Sequence, residues 1–356
     1  MKKAIAILLL ILLLGGCSST TEIDKLMIVS GMSIDKRDDG YKIITQIVNM
    51  ANSDQNELSP ILLESKGTTI VSALRTLPGL EGQRLYFTHA QVILVSEEYM
   101  RSIGVEHLIN LINLEPRFRS SINLAVTSKN ASEVIATEPK TDPISCFSIA
   151  DSIKESEAML LTPNTPFYKF LNESMEPGID GILPIVSSVN GKDKANLPKV
   201  GGTALFKEYK MIGSLTEKQT KYLLIARNTI PRSIYSTESH SFLINDGSTK
   251  LSTVDDKITL TIKMELSLLE GEKYSENELA EIINNDCKKG VEDLILSLQE
   301  LGCDPIGIGR YIKRHHYSTW KKIYPENWDS FYNKLNININ VESSIVPSSK
   351  LTGDKK

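Results

Sequence analysis

Apolar and polar positions along this chain follow two periods, one of about two residues and one of about three and a half. Residues 26–34 (Leu-Met-Ile-Val-Ser-Gly-Met-Ser-Ile) and 41–48 (Tyr-Lys-Ile-Ile-Thr-Gln-Ile-Val) are β-rich runs. The segment between them ends in Asp39-Gly40, a strong hairpin signal. Ile70, Val71, Leu74 and Leu77 stand at helical spacing and are halted by Pro78-Gly79. Residues 90–95 read as a short apolar strand. Ser96 then caps a helix whose first turn holds Glu97 and Glu98, where negative charge suits the helix dipole. Ile103, Leu108, Leu111 and Ile112 continue that helix, and residues 121–127 read as another strand. Residues 139–166 look like helices broken by prolines, and 182–189 like a strand. Strand and helix alternate, which gives this half an α/β or α+β character.

The second half is more sharply patterned. Residues 201–206 and 209–215 predict a hairpin. Thr216-Glu-Lys-Gln219 is a capping box opening a helix that presents Tyr222, Leu223, Ile225 and Ala226. Ile258, Leu260, Ile262, Met264, Leu266 and Leu268 alternate with Thr259, Thr261, Lys263, Glu265 and Ser267, the pattern of a strand with one wet and one dry face. Ser275-Glu-Asn-Glu278 is a second capping box. Its long helix faces Leu279, Ile282, Ile283, Val291, Leu294, Ile295, Leu298 and Leu301 to the core and stops at Gly302. Ile337, Ile339 and Val341 alternate with asparagines in a last strand. This half predicts an antiparallel sheet with helices on one face. The segment 190–199 is polar, rich in turn formers and aperiodic, and is the expected linker. The resulting division is an N-terminal module over 23–189, with a further boundary near 139–166, a C-terminal α+β domain over 200–345, and a frayed tail over 346–356.

The amino end carries a different pattern. Lys2 and Lys3 precede an unbroken apolar run over 4–14, then Gly15-Gly16 and Cys17. A basic start, a short apolar stretch and small residues before a cut make a secretory signal, and the run is shorter than the roughly 20 residues a spanning helix needs. The small-small-Cys ending is similar to the bacterial lipobox, in which the cysteine sulfur takes a diacylglyceryl group and becomes the new amino terminus. On that reading residues 1–16 are signal peptide, Cys17 is the lipid anchor and 17–22 a polar tether. The alternatives are an ordinary cleaved signal with a stray cysteine, or an uncleaved anchor.

Loss of residues 1–16 removes two lysines, so 38 basic residues face 44 acidic ones and the mature chain carries about −6. That argues against a nucleic-acid binder, which would show a basic face, and gives no reason to expect attraction to anionic lipid. Cys146, Cys287 and Cys303 remain, an odd number that rules out a full disulfide framework. Cys287 and Cys303 lie roughly 24 Å apart along a helix axis, beyond disulfide reach, and all three read as small apolar fillers.

Catalytic chemistry is mostly missing. The chain has no Gly-x-Ser-x-Gly elbow, no His-Glu-x-x-His and no Walker loop, no Cys/His grouping has metal spacing, and no cofactor is implied. Gly307-Ile-Gly309 has two of a dinucleotide loop's three glycines but follows a helix, so Asp304-Pro-Ile-Gly-Ile-Gly-Arg310 reads as a structured turn opening another helix. His89 is a general base only if a nucleophile accompanies it, and reads as a hydrogen-bonded structural residue. Trp320 and Trp328 could grip a sugar but at helical spacing read as core. Residues 115–119 (Glu-Pro-Arg-Phe-Arg) read as a surface ion pair rather than an anion site.

With those segments in view, the sequence resembles the Ger(x)C family, the lipoprotein C subunits of spore germinant receptors. The resemblance rests on the lipobox with Glu-Ile-Asp-Lys-Leu-Met-Ile-Val-Ser-Gly-Met-Ser-Ile-Asp at 22–35, and on Arg-Leu-Tyr-Phe-Thr-His-Ala-Gln-Val-Ile-Leu at 84–94. It continues with Gly-Gly-Thr-Ala-Leu-Phe-Lys at 201–207, Met-Ile-Gly-Ser-Leu-Thr-Glu at 211–217, and the 304–310 turn followed by Trp320 and Trp328. Two departures stand out: Ser18-Ser-Thr-Thr21 replaces the family's Trp-Asp after the lipid cysteine, and Thr88 stands where glycine is usual. The resemblance implies a non-enzymatic, multi-domain α+β subunit with mixed and antiparallel sheets. It would be lipid-anchored on the outer face of the cell membrane or spore inner membrane, with multi-span A and B subunits as partners. No catalytic residue comes with it. His89, Asp304, Gly307 and Trp320 match family positions, in structural or partner-binding roles. Two other classes compete: a ligand-capturing lipoprotein feeding a transporter, which predicts two similar lobes around a cleft, and an envelope enzyme built on His89.

Overall fold

The computed structural model describes residues 26–49, 59–114, 118–191, 196–254, 257–324 and 326–346. Cys17, the signal peptide, residues 115–117 and the tail from 347 onward lie outside the described residues.

In chain order the first region runs β1 (Leu26–Arg37), β2 (Gly40–Asn49), β3 (Ser59–Gly67), α1 (Ile70–Leu74), α2 (Pro78–Glu81), β4 (Arg84–Tyr86), a 3₁₀ turn (Phe87–His89), β5 (Val92–Ser96), α3 (Glu97–Ser102), α4 (Glu106–Leu114), β6 (Asn123–Thr127), α5 (Ala131–Ile135), α6 (Ser145–Ala158), α7 (Phe167–Met175), β7 (Ile182–Asn190), β8 (Asn196–Lys207) and β9 (Lys210–Leu215). The second comprises α8 (Glu217–Ala226), β10 (Ile234–Ser236), β11 (Ser241–Val254), β12 (Lys257–Glu270), α9 (Glu276–Glu300), α10 (Ile308–His315), α11 (Tyr317–Ile323), α12 (Trp328–Tyr332) and β13 (Ile337–Ile345). The fold is α+β, with one nine-stranded and one four-stranded sheet.

The large sheet is ordered β3-β2-β1-β5-β6-β7-β8-β9, with β4 beside the start of β1. Its centre, β1, β5, β6 and β7, is parallel, and antiparallel hairpins flank it on both sides. Parallel strands are covered on both faces, which is why β5 is apolar from Val92 to Val95. Ile93 and Val95 point into a core under α3, α4 and α7, while Val92 and Leu94 point into another under α5 and α6. The first hairpin turns on Asp38-Asp39, one residue earlier than Asp39-Gly40 predicts, since Arg37 pairs with Gly40. A side chain at Gly40 would meet the backbone of Gly67 on β3.

Four expectations need correction. The segment 190–199 is no linker: Asn190 pairs with Asn196 and Ile182 with Leu205, so β7 and β8 are one hairpin of the large sheet. Its outer strand ends face water and carry polar residues, which mimics a linker. No boundary falls at 139–166 either, because α6 lies in the core beneath the sheet. The helix expected from Ser96 to Ile112 is two helices, broken where Gly104 takes φ 86° and would otherwise strike the Tyr209 carbonyl. In the small sheet β10, β11 and β12 are antiparallel, but β13 runs parallel to β12.

Elsewhere the second region follows its pattern, except that Thr259 and Ser267, expected on the wet face of β12, are buried. Both capping boxes form, with the Thr216 hydroxyl accepting from Gln219 N at 3.3 Å and the Ser275 hydroxyl from Glu278 N at 3.4 Å. Ile258, Leu260, Ile262, Met264 and Leu266 meet α8 and α9 in one core. Leu301 departs from the expected helix face and is exposed, one residue before Gly302 ends the turn in the left-handed region. Cys146, Cys287 and Cys303 are free and buried.

Candidate functional site

The residues singled out from sequence do not converge on one place. His89 ends the 3₁₀ turn as an exposed side chain, its ring 6.0 Å from that of Tyr86, and its carbonyl accepts from Gln91 Nε2 at 3.3 Å. No hydrogen bond joins its ring to another of the described residues. Asp304, Gly307 and Trp320 sit together far along the chain, where the two regions meet.

Asp304 is 1% exposed. Its Oδ1 accepts from Gly307 N at 2.9 Å and Ile308 N at 3.1 Å, and its Oδ2 from Gly309 N at 2.7 Å. One carboxylate thereby satisfies the free amides that open α10. Gly307 is the N-cap with φ 85°, a left-handed conformation that favours glycine. The same turn is stitched to the segment leading into β7. Asp304 N donates to Asp180 Oδ2 at 2.7 Å, Asp180 N to the Asp304 carbonyl at 2.9 Å, and Arg310 N to the Gly178 carbonyl at 2.6 Å. A Cβ on Gly309 would lie 2.7 Å from the Trp328 ring and 2.8 Å from Gly178 Cα, so the close approach requires glycine. Trp328 packs against Trp320 at 5.4 Å and Tyr332 at 5.5 Å between ring centroids. Both tryptophans are core residues, as expected, though on separate short helices.

Charged contacts reinforce this seam. Lys207 at the end of β8 donates to the Gly302 carbonyl and to Asp329, both at 2.7 Å. Arg227, just after α8, pairs with Glu173 of α7 and donates to the Pro305 carbonyl; the Arg227 and Glu173 side chains are only 8% and 10% exposed. Burial pushes the Asp304 carboxyl up to about 7 against the opposing pull of its three amide donors, with the Asp180 charge adding to the rise. Burial also raises Asp180. Lys207 is held above its ordinary range because Asp329 and Asp180 outweigh its burial.

Chemically this is a clamp. Each Asp304 oxygen is taken up by backbone amides, the neighbouring Cys303 thiol is buried and pushed well above its ordinary range by that burial, and among the described residues no group of three or more His, Cys, Asp or Glu side chains could hold a metal. Sequence reasoning missed Gly178, Asp180, Glu173 and Arg227. Pro177-Gly178 was readable as a turn; the ion pair left no local signal. Asp35 was also missed: its carboxylate reaches from β1 to accept from Ala131 N at 2.6 Å and Ser132 N at 2.9 Å, capping α5.

Two family models match this chain in order: a spore germination protein N-terminal domain over residues 19–188, and a spore germination B3/GerAC-like C-terminal domain over 201–348. The chain belongs to the Ger(x)C family of spore germination proteins. The two matches part at the β7–β8 hairpin, the segment expected as a linker, although the sheet runs through it. Ger(x)C relatives align end to end. The chain is 22% identical to the putative spore germination protein YfkR of Bacillus subtilis over 95% of this chain and 94% of that one. It is 22% identical to the spore germination protein GerQC of Bacillus cereus, covering 98% and 99%, and 23% identical to spore germination protein B3 of Bacillus subtilis, covering 95% of each. The crystal structure of the GerBC protein superposes with a TM-score of 0.54 at 20% identity, covering 89% of this chain and 97% of that one, and shares the fold. Among the described residues no helix is long and apolar enough to cross a membrane.

Proposed function

We propose that this Ger(x)C chain is a non-enzymatic lipoprotein subunit of a nutrient germinant receptor, needed for receptor assembly or function. Cys17 carries the lipid that holds it on the outer face of the cell membrane or spore inner membrane, and multi-span A and B subunits are its partners. The observation that carries the reading is the match of both family models, in order, behind a signal ending Gly-Gly-Cys. Tethering confines partners to one surface and raises their effective concentration without any new contact. The seam suits a body that holds its shape: a buried carboxylate, a buried ion pair and an aromatic cluster fix one region against the other. A ligand-capturing lipoprotein would want two similar lobes around a hinge, and a nine-stranded and a four-stranded sheet are dissimilar.

Deleting the gene and scoring spores against a panel of amino acids and sugars tests the role. Loss of response to at least one nutrient is expected, and normal germination on every nutrient would overturn it. Cys17→Ala separately tests the anchor: the protein should move from the membrane to the soluble fraction and lose its acyl mass.

A further inference from the structure

No Asp or Glu stands between Asp304 and Glu326, while Arg310, Lys313, Arg314, Lys321 and Lys322 fall inside that stretch with His315 and His316. In a chain whose net charge is negative, this is a concentrated basic patch. The buried faces of α10 and α11 account for Ile308, Ile312 and Trp320, leaving Arg314, His315, Tyr317, Lys321 and Lys322 exposed; Tyr317 is 62% exposed. Glu176 answers only the two arginines, at 3.4 Å from Arg310 and 2.8 Å from Arg314. Among the described residues no carboxylate pairs with Lys313, Lys321 or Lys322. The acidic residues that bound the stretch are Asp304, buried and held by backbone amides, and Glu326, with Asp329 beyond it engaged by Lys207.

Topology places the start of α10, from which this patch extends, on the tether's side of the molecule. β1, β5, β6 and β7 are parallel, so their amino ends share one edge of the sheet. Leu26 opens β1 at that edge, and Gly178 and Asp180, which hold the start of α10, lead into β7 at the same edge. Three strand spacings separate β1 from β7 laterally, about 14 Å, and Leu26 lies five residues before Gly31, which is level with the start of β5, about 17 Å further along the strand. Eight residues lie between Cys17 and Leu26, an extended reach of at most roughly 30 Å. A bilayer holding Cys17 therefore lies within reach of the patch.

We propose that Lys313, Lys321 and Lys322, flanked by Tyr317, form a bilayer-facing surface that engages the phosphates of anionic phospholipids and sets the orientation of the tethered body. Each lysine close to an anionic leaflet biases the docked orientation by roughly five-fold, and the bias dies away within a Debye length. The inference rests on the lipid anchor of the proposed function.

The test uses the full lipidated chain on vesicles of phosphatidylcholine alone or with phosphatidylglycerol, and reads lysine acylation by mass spectrometry. On the anionic vesicles Lys313, Lys321 and Lys322 should be protected at least roughly tenfold. Exposed Lys289 on α9 should react equally on both. Salt at about 1 M, where the Debye length is about 3 Å, should abolish the protection. The double change Lys321→Glu with Lys322→Glu should remove it at Lys313 without shifting the melting temperature. Equal reactivity on both vesicle types overturns the proposal, as does protection that appears only when an acidic membrane partner is added. A chain that pellets with neither vesicle overturns the anchor itself, a separate failure.

Discussion

β5 and β12 are both central strands rich in buried apolar side chains, yet they are built on different rules. β5 buries all five of its residues, alternate ones in separate cores, because helices cover both faces of the large sheet. β12 keeps two parities, with Ile262, Met264 and Leu266 buried beneath α8 and α9 and Lys263 and Glu265 in water. The first region is thus a layered sandwich with helices on both faces of its sheet. The second region has one covered face and leans on the first through the seam at Asp304 and Arg227. Its orientation against the first is fixed by that seam and by an apolar core shared with Leu160, Ile182, Leu205 and Leu215 of the first region.

The largest effect should come from cutting the seam. Arg227→Ala strands the buried Glu173 carboxylate, and loss of one partner of a buried pair costs about 3–5 kcal/mol. Both tryptophans of the chain lie in the second region, so their fluorescence reports on that region alone. Arg227→Ala should make the fluorescence transition precede the circular-dichroism transition in denaturant. Arg227→Met with Glu173→Gln, which removes both charges, should recover most of the loss. Coincident transitions in the single variant would mean the regions do not lean on one another as described.

The parity contrast can be tested next. Ile93→Ala and Leu94→Ala face opposite cores, and each should cost about 2–5 kcal/mol. On β12, Ile262→Ala should cost as much, whereas Lys263→Ala, at an exposed pair with Glu342, should stay within about 0.5 kcal/mol. Equal costs at Ile262 and Lys263 would show that the second sheet is covered on both faces after all.

The same comparison explains what could be read from the sequence. The second region's strongest signals are local: two capping boxes, a long period-two strand and a helix with an apolar face, found where expected except that Leu301 is exposed and Thr259 and Ser267 are buried. The first region's logic is non-local. β3 was missed because it is an edge strand with Ile61 and Leu62 partly exposed, so its pattern does not alternate cleanly. β7 and β8 were split because their polar tips conceal a pairing visible only across the hairpin. At the seam, Asp304-Pro-Ile-Gly-Ile-Gly-Arg310 was legible as a turn opening a helix, but its partner segment at Gly178 and Asp180 lies more than a hundred residues earlier.

Asp304 supplies a pH signature for the seam. Its folded carboxyl titrates near 7 instead of the ordinary 3.8, so between about pH 4 and 7 the unfolded chain has shed a proton that the native state still holds. Stability from this group is therefore fully present below about pH 4, falls as pH rises to 7 and levels off above; at most about 4 kcal/mol is involved. Asp180, also raised by burial, adds a slope of the same sign. Denaturant midpoints of Asp304→Asn should show a shallower fall over that window than the unaltered chain. Parallel curves would mean that the three amides keep Asp304 ionised throughout.

The smallest expected difference concerns two serines that look alike in sequence. Ser96 and Ser275 each precede a helix with glutamates in its first turn. Ser275 accepts from Glu278 N, and Glu278 reaches back to Ser275 N at 2.8 Å. The Ser96 hydroxyl makes no such bond and is buried without a partner. An N-cap hydroxyl replaced by alanine costs about 1 kcal/mol, so Ser275→Ala should lower stability by that amount. Ser96→Ala removes a buried polar atom that has nothing to satisfy it, a change that is neutral or stabilising. The reason lies in the two regions' construction. α9 begins in solvent, where only its own cap can serve its first amides, while Ser96 closes a strand buried between two cores and its side chain is enclosed by packing. Equal losses in the two variants, read from thermal midpoints, would put a capping bond at Ser96 and erase the distinction.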